Sequence, residues 1–539
     1  SIALFVAILF VILLNLTLGS YFESYEILFQ QAMLEHFCYA PRMIISVSHF
    51  ALVPIYAKLT NTFPNIPIFS TANTLYNTLI LTGLLASFFL IIKQNKDSKW
   101  RTYITIAIGI LLVLHNFIFI NNVRLSFMAS FVAYVWLFLI YDYKLPKKFL
   151  LIFALYALLA IEIRVEMAII SSFFAIIIFQ FWGQRAQVLG GLSTLITAGL
   201  LFGFISWGMK NGDEEKHYLH QAEHIMYDQD DYKFVANSKA DSIKNFAVFA
   251  FVQDEDVISI EDYKNIALHP GLFSYVFNNP RFIEIYMDKL VEILEILKNY
   301  SWLILLNLIL FGLLLYAEKK TSQRMKILAL MVVFFSIPLG LNIIVYVAQS
   351  FIAAYLTVAS LTLLLALYLF YENLAFRPIV ILPVSLIVFG LFCKFVWNES
   401  NIVQENEASA QFYSSEIRQA TQEGKKVVFA IPQYEKIYSS KLFKSRKDSS
   451  LLHHFLNEGF MGYYDNFLSF NHDTFGEEHR SLASRMAFCS KENVIFYSDE
   501  RQNTFLQDYL SIIHGELYHF TKVSNIEDHT FEVYQVYKE

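Results

Sequence analysis

The feature that most constrains this chain is the recurrence of apolar runs long enough to cross about 30 Å of hydrocarbon. Candidate spans fall near 1–19, 68–92, 103–120, 126–142, 149–163, 165–182, 188–208, 298–317, 327–343, 351–371 and 378–397, about eleven in all. A hydrophobic fraction of 56% against 16% charged residues, with 17% Phe, Trp and Tyr, fits a lipid-facing helical chain and excludes a string of soluble domains for the 539 residues. The net charge of −6 leaves no global basic surface for nucleic acid. Cys38, Cys393 and Cys489 lie far apart without a paired-cysteine motif, so neither a disulfide framework nor a structural zinc site is expected, and at most one bridge can form. The first apolar run reads as a retained helix, not a cleaved leader.

The basic residues set the orientation. Lys93, Lys96, Lys99 and Arg101 follow the second span, and Lys144, Lys147 and Lys148 the fourth. Arg185 follows the sixth, Lys319, Lys320, Arg324 and Lys326 the eighth, and Arg377 the tenth. With a cytoplasmic N-terminus all these turns fall inside, and the long polar stretches 20–67, 209–297 and 398–539 fall outside. This assignment requires Ile44 to Thr60 to be a juxtamembrane helix and not a crossing. The expected fold is an α-helical polytopic membrane protein with a C-terminal soluble α/β domain on the external side. Residues 1–397 form the membrane domain, with external loop 20–67 and an external helical insertion over 209–297, and residues 398–539 form the soluble domain. Lys, Asn, Ile and Phe usage leans to a bacterium, which makes the membrane a bacterial inner membrane and the external side its periplasm.

Within the soluble part a helix is expected from Glu405 to Gln422, stopped by Gly424 in the place of a C-capping glycine. Strands are expected at Val427 to Ile431, Val494 to Tyr497, Leu517 to Val523 and Thr530 to Tyr537. No Walker, GxSxG or GxGxxG motif gives this domain chemistry of its own. His453, His454, His472 and His479 match no metal-ligand spacing and read as surface histidines, and Asp228 to Asp231 reads as a solvated turn.

Ionised groups at or within spans cost several kcal/mol unless paired or wet, which makes them pointers to function. Glu162, Arg164 and Glu166 sit together between two apolar stretches, either as a self-neutralising turn or as ligands. Arg124, on the same side, reads either as an interfacial snorkel or as a ligand, and Lys394 as a snorkelling lysine. Glu23 and Glu26, spaced to share a helix face, lie just past the first span, with Arg42 and His49 further along the same loop. Acids and arginines at a membrane boundary suit a substrate with a lipid tail and a phosphate. Arginine forks onto phosphate oxygens, and a carboxylate can take a proton from an attacking hydroxyl.

This layout resembles the GT-C superfamily of polyprenyl-phosphate-dependent glycosyltransferases, and its mannosyltransferase-like members in particular. The resemblance rests on the acidic pair after the first span, the amphipathic first loop, the span number, the external insertion and the external C-terminal domain. Locally it rests on Ser46 to Pro54 leading to Phe63 to Pro67, and on the turn Ile163 to Glu166. It does not extend to residues 398–539. The resemblance implies that Glu23 or Glu26 is the catalytic base of an inverting transfer, and that external arginines hold the leaving lipid phosphate, Arg164 first, then Arg124 and Arg42. His49, Glu162 and Glu166 would complete the substrate site. The Glu-Ser-Tyr-Glu run stands where the family often has aspartate. The scarcity of acids favours the branch without a cofactor over the branch that holds a divalent metal. The implied partners are a polyprenyl-phosphate-linked sugar, a lipid, glycan or protein acceptor and membrane lipids; a protein partner of the C-terminal domain belongs to the reading of the chain as an assembly subunit. Competing readings are a transporter or flippase gated by the Glu162 to Glu166 turn, a non-catalytic subunit of an envelope or secretion assembly, and an O-antigen-type polymerase.

Overall fold

The computed structural model describes residues 2–17, 21–22, 31, 52–63, 65–94, 109, 112, 114–165, 167–171, 222, 238–249, 252, 254, 256–267, 282–344, 349–370, 378–430, 454–456, 475, 481–524 and 531–539. These residues are mostly helical. In chain order they form α1 (Ile2–Thr17), β1 (Tyr21–Phe22), α2 (Val53–Thr62), α3 (Ile68–Gln94), β2 (Phe119–Ile120), α4 (Asn122–Asp142) and α5 (Leu150–Ile163). Next come α6 (Lys239–Phe249), α7 (Ile260–Ala267), α8 (Phe282–Asn299), α9 (Ser301–Ala317), α10 (Thr321–Ile344), α11 (Gln349–Phe370) and α12 (Pro378–Gln422). The remainder is β3 (Lys426–Phe429), β4 (His454–Phe455), α13 (Leu482–Cys489), β5 (Val494–Ser498), α14 (Glu500–Tyr509), β6 (Tyr518–Ser524) and β7 (Glu532–Lys538).

Five helices among the described residues are long and apolar enough to cross a membrane: α3, α4, α10, α11 and the part of α12 from Leu386. A sixth is added if the bent pair α8–α9 counts as one span. The expected runs at 103–120, 165–182 and 188–208 lie largely outside the described residues.

α4 is buried along its whole crossing segment and α11 almost so, as expected of helices that are apolar all round. They touch each other and form the middle of the bundle, with α3 and α5 packed on α4 and α9 on α11. Small residues allow the close approach: Ser126, Ala129, Ser130 and Ala133 are all fully buried on α4. Gly83 is a second close point. Trp136 Nε1 donates to its carbonyl at 3.0 Å, and the Tyr156 hydroxyl donates to Leu79 O at 2.6 Å, so α4 and α5 both bond the backbone of α3. Between α9 and α11, the buried Asn307 amide donates to Leu356 O at 3.1 Å and to Ser360 Oγ at 2.9 Å.

α12 departs from the expected layout. The span near 378–397 and the helix at 405–422 are one helix of 45 residues, about 68 Å long at 1.5 Å per residue. The stretch from Asn398 to Gln404 turns polar but contains neither Gly nor Pro, so nothing breaks the helix where it leaves the apolar zone. It ends as expected at Gly424, where φ is +72°. Lys425 N bonds Ala420 O at 2.8 Å and Gly424 N bonds Thr421 O at 3.1 Å, the paired bonds of a Schellman cap.

The soluble part is built on a five-stranded mixed sheet of order β4-β3-β5-β7-β6, parallel among β4, β3 and β5 and antiparallel elsewhere. The four expected strands are all present. Side chains alternate between its two faces with the period of two that a covered sheet requires. Val427, Phe429 and Tyr497 join Tyr413, Ile417 and Ala420 of α12 on one face. Val428, Phe496 and Val536 join α13, α14 and the segment Leu510 to His514 on the other. That second layer also takes Ala247, Val248, Val252, Ile258 and Tyr263 from the insertion. Residues 239–267 therefore share a core with the C-terminal sheet, far from them in sequence.

Candidate functional site

One end of the helical bundle collects several chain segments that the sequence keeps apart. β1 follows α1 and pairs in parallel with β2, Tyr21 opposite Phe119 and Phe22 opposite Ile120. α4 starts beside this pair, its first turn capped by Asn121, whose side chain accepts from Val123 N at 2.8 Å. α5 arrives at the same end, because the Ser126 hydroxyl reaches Ala160 O at 2.9 Å and Arg164 O at 2.8 Å. Arg164 is extended and breaks the helix. The chain then returns along α4, since Ser130, one turn further down, reaches Ala168 O at 3.4 Å.

Arg124 is enclosed at this end with no solvent exposure. Its guanidinium contacts the His115 ring and donates to the Tyr300 hydroxyl at 3.2 Å, which also accepts from Gln349 Nε2 at 3.2 Å. His115 is itself fully buried, with the rings of Phe119, Tyr300, Trp302 and Phe395 at 5.5 to 6.5 Å. A guanidinium stays charged at any working pH, so the neutral imidazole offers it an acceptor lone pair. This corrects the snorkel reading of Arg124: the side chain points into the protein and ties α4 to the starts of α9 and α11.

Glu162 is 5% exposed, and its Oε1 accepts the backbone N–H of Leu52 at 2.9 Å. Leu52 is the N-cap residue of α2 and has no side chain able to cap. Glu162 thus does from 110 positions away what the distal glutamate of a capping box does locally. On the same helix α2, the Tyr56 hydroxyl is hydrogen-bonded to that of Tyr76 on α3. Gln31, fully buried, donates to Ser70 Oγ at 3.0 Å and fixes a further point of the first loop to the start of α3.

Of the expected site residues, Arg124, Glu162 and Arg164 are brought to this one end, Arg164 partly exposed and the other two buried. Glu23, Glu26, Arg42, His49 and Glu166 lie outside the described residues. Lys394 is exposed on α12. Cys393 and Cys489 are free thiols. No group of three His, Cys, Asp or Glu among the described residues is arranged to hold a metal. Sequence reasoning passed over His115, Tyr300 and Gln349. The usable signal was His115 and Asn116 inside an otherwise apolar run, two polar side chains that a span must satisfy. Compared with protein-family models, with curated proteins and with solved structures, the chain has no match.

Proposed function

We propose that this chain is a membrane glycosyltransferase that works at the bundle end holding Arg124, Glu162 and Arg164. It moves a sugar from a polyprenyl-phosphate donor to an acceptor on the periplasmic face. One observation supports the reading above the rest. The first loop is tied at both flanks to the arginine-bearing end, by β1 against β2 just before Glu23 and by the Leu52–Glu162 bond beyond it. In this reading Glu23 or Glu26 takes the proton of the acceptor hydroxyl. The acceptor oxygen forms a bond to the anomeric carbon as the bond to the phosphate oxygen breaks, with inversion. The lipid phosphate leaves with the electron pair and rests against Arg164, with Arg42 and His49 as further contacts, while Glu166 accepts from hydroxyls of the substrate. Arg124, enclosed against His115 and Tyr300, positions the helix starts and does not touch substrate. No divalent metal is required by this scheme.

A second reading is a non-catalytic subunit of an envelope assembly. It draws on the continuity of α12 from the apolar zone into the sheet and on the shared core of insertion and sheet, which together make a stiff platform for a partner. Single substitutions Glu23→Gln, Glu26→Gln and Arg164→Met, each with expression verified, separate the two. Altered envelope glycans in at least one variant support the transferase, whereas unchanged glycans in all three sink it.

A further inference from the structure

α8 meets α9 at an angle of 81°, with the break at Tyr300, the residue that accepts from Arg124. α9 is apolar along its length and belongs to the bundle. α9 packs along α11, one of the helices long and apolar enough to cross, so a helix at that angle to α9 lies across the direction of crossing, at the end of the bundle where Arg124 lies. The described side chains of α8, from Met287 on, fall into three sectors when laid out at about 100° per residue. One packs on the bundle: Ile293 is buried, with Leu290, Ile296 and Leu297 against the same core. A second contains Glu292 and Glu295, both exposed. Between them runs an apolar stripe that the protein leaves open: Met287 is 49% exposed, Val291 55% and Leu294 53%. Lys298, exposed, falls in the same stripe, where its stem can lie along acyl chains and its ammonium can reach phosphate.

A helix with one packed side needs no second apolar side to fold. From the stripe, the acidic sector beside it and the 81° bend, we infer that α8 is an interfacial helix that seats Met287, Val291 and Leu294 in the headgroup–acyl boundary and turns Glu292 and Glu295 to water. The occupant of the stripe is lipid and not a protein. On α9, Leu308 and Tyr316 are exposed apolar side chains as well. Interfacial helices sit about 5–10 Å into the boundary and hold the protein at a fixed depth. This inference does not depend on the glycosyltransferase reading.

The test uses the full chain in phosphatidylcholine vesicles, with Cys38→Ser, Cys393→Ser and Cys489→Ala and a single nitroxide-labelled cysteine at 287, 291, 292, 294 or 295. Relaxation by oxygen, which concentrates in lipid, should exceed relaxation by a water-soluble nickel chelate several-fold at 287, 291 and 294, with the reverse at 292 and 295. Equal chelate access at all five positions overturns the inference in favour of water. Low access to both reagents at 287, 291 and 294 overturns it in favour of a protein contact. Leu294→Trp in the native-cysteine chain gives a second answer. Extra fluorescence quenched by lipids brominated high in the acyl chain supports the inference, and extra fluorescence that those lipids leave unquenched contradicts it.

Discussion

Asp254 and His514 meet at 2.6 Å, Oδ2 to Nε2, where the insertion packs on the C-terminal sheet. Asp254 has no solvent exposure, and the same oxygen accepts the Tyr509 hydroxyl at 2.9 Å. The hydrogen bond to Asp254 raises the His514 pKa above its ordinary 6.5, burial opposes this, and the charges of Asp254, Glu516 and Asp256 add to the rise. A raised folded-state value means that the stabilisation is complete below 6.5 and is lost as pH climbs through the elevated value. Val257 N and Ile258 N both bond Asp254 O, so their amides report on this junction. Their hydrogen-exchange protection, corrected for intrinsic rates, should fall as pH rises through that window, and His514→Gln should flatten the profile. His514→Ala, which leaves the buried carboxylate with Tyr509 alone, should cost about 3 kcal/mol at acidic pH. A profile unchanged by the Gln substitution would refute this account of the junction.

Gly83→Ala should be among the most damaging small substitutions in the membrane domain. An added Cβ would overlap the phenol end of Tyr156 and stand 2.7 Å from Val132 Cγ1. Relief requires α3 to move away from both α4 and α5, which would break the Trp136 and Tyr156 bonds to its backbone. The expected loss is about 3 kcal/mol, from overpacking and two hydrogen bonds together. Gly312→Ala, where the new methyl meets nothing within 4 Å, should be neutral or stabilising by up to about 1 kcal/mol. Thermal unfolding in detergent compares the two directly.

The sequence exposed what is local and hid what is distant. The strands from Val427, Val494, Leu517 and Thr530, and the cap at Gly424, were legible because alternation and a positive-φ glycine are short-range signals. The unbroken α12 was not, because the change to polar residues after Trp397 resembles a boundary although it carries no helix breaker. Nor was the docking of the insertion on the sheet: nothing near Asp254 announces a partner at His514. At the candidate site the ionised residues were visible as an expense. Of their partners, His115 did leave a signal, a polar side chain inside an apolar run, but Leu52 and Tyr300 did not, since a backbone amide and a tyrosine are ordinary in an apolar chain.

Arg124 ties the start of α4 to that of α9 through Tyr300, which also accepts from Gln349 at the start of α11, so its replacement should act through stability and not through contact with substrate. Arg124→Lys keeps the charge but lacks the planar fork that reaches His115 and Tyr300 together. Hydrogen bonds to a buried charge contribute about 1.5–3 kcal/mol each. The Lys variant should unfold at clearly lower temperature than wild type in detergent, and Tyr300→Phe should lower it by less. Equal melting of the Lys variant and wild type would count against a positioning role.

Asn307→Leu should cost only about 1 kcal/mol, because polar contacts between membrane helices are individually modest. Its amide meets both Leu356 O and Ser360 Oγ. A double-mutant cycle with Ser360→Ala isolates the second contact, and the coupling should be smaller than the full effect of Asn307→Leu. A coupling near zero would place the whole contribution in the bonds to the backbone carbonyls of Leu303 and Leu356.

If the end of the bundle around Glu162 and Arg164 transfers a sugar from a lipid phosphate, cleavage of the donor can be followed in the purified protein. A direct measurement incubates the purified chain, in nanodiscs of envelope lipid extract together with an envelope glycan and protein fraction that supply acceptor hydroxyls, with polyprenyl-phosphate monosaccharides of several sugars and follows release of free polyprenyl phosphate. The account predicts release from at least one donor by the wild type. It further predicts release reduced at least about 100-fold in the folded Glu23→Gln, Glu26→Gln double variant, the scale expected for loss of a general base. Release that persists undiminished in that variant, or a wild-type chain that binds and cleaves none of the donors, would contradict it.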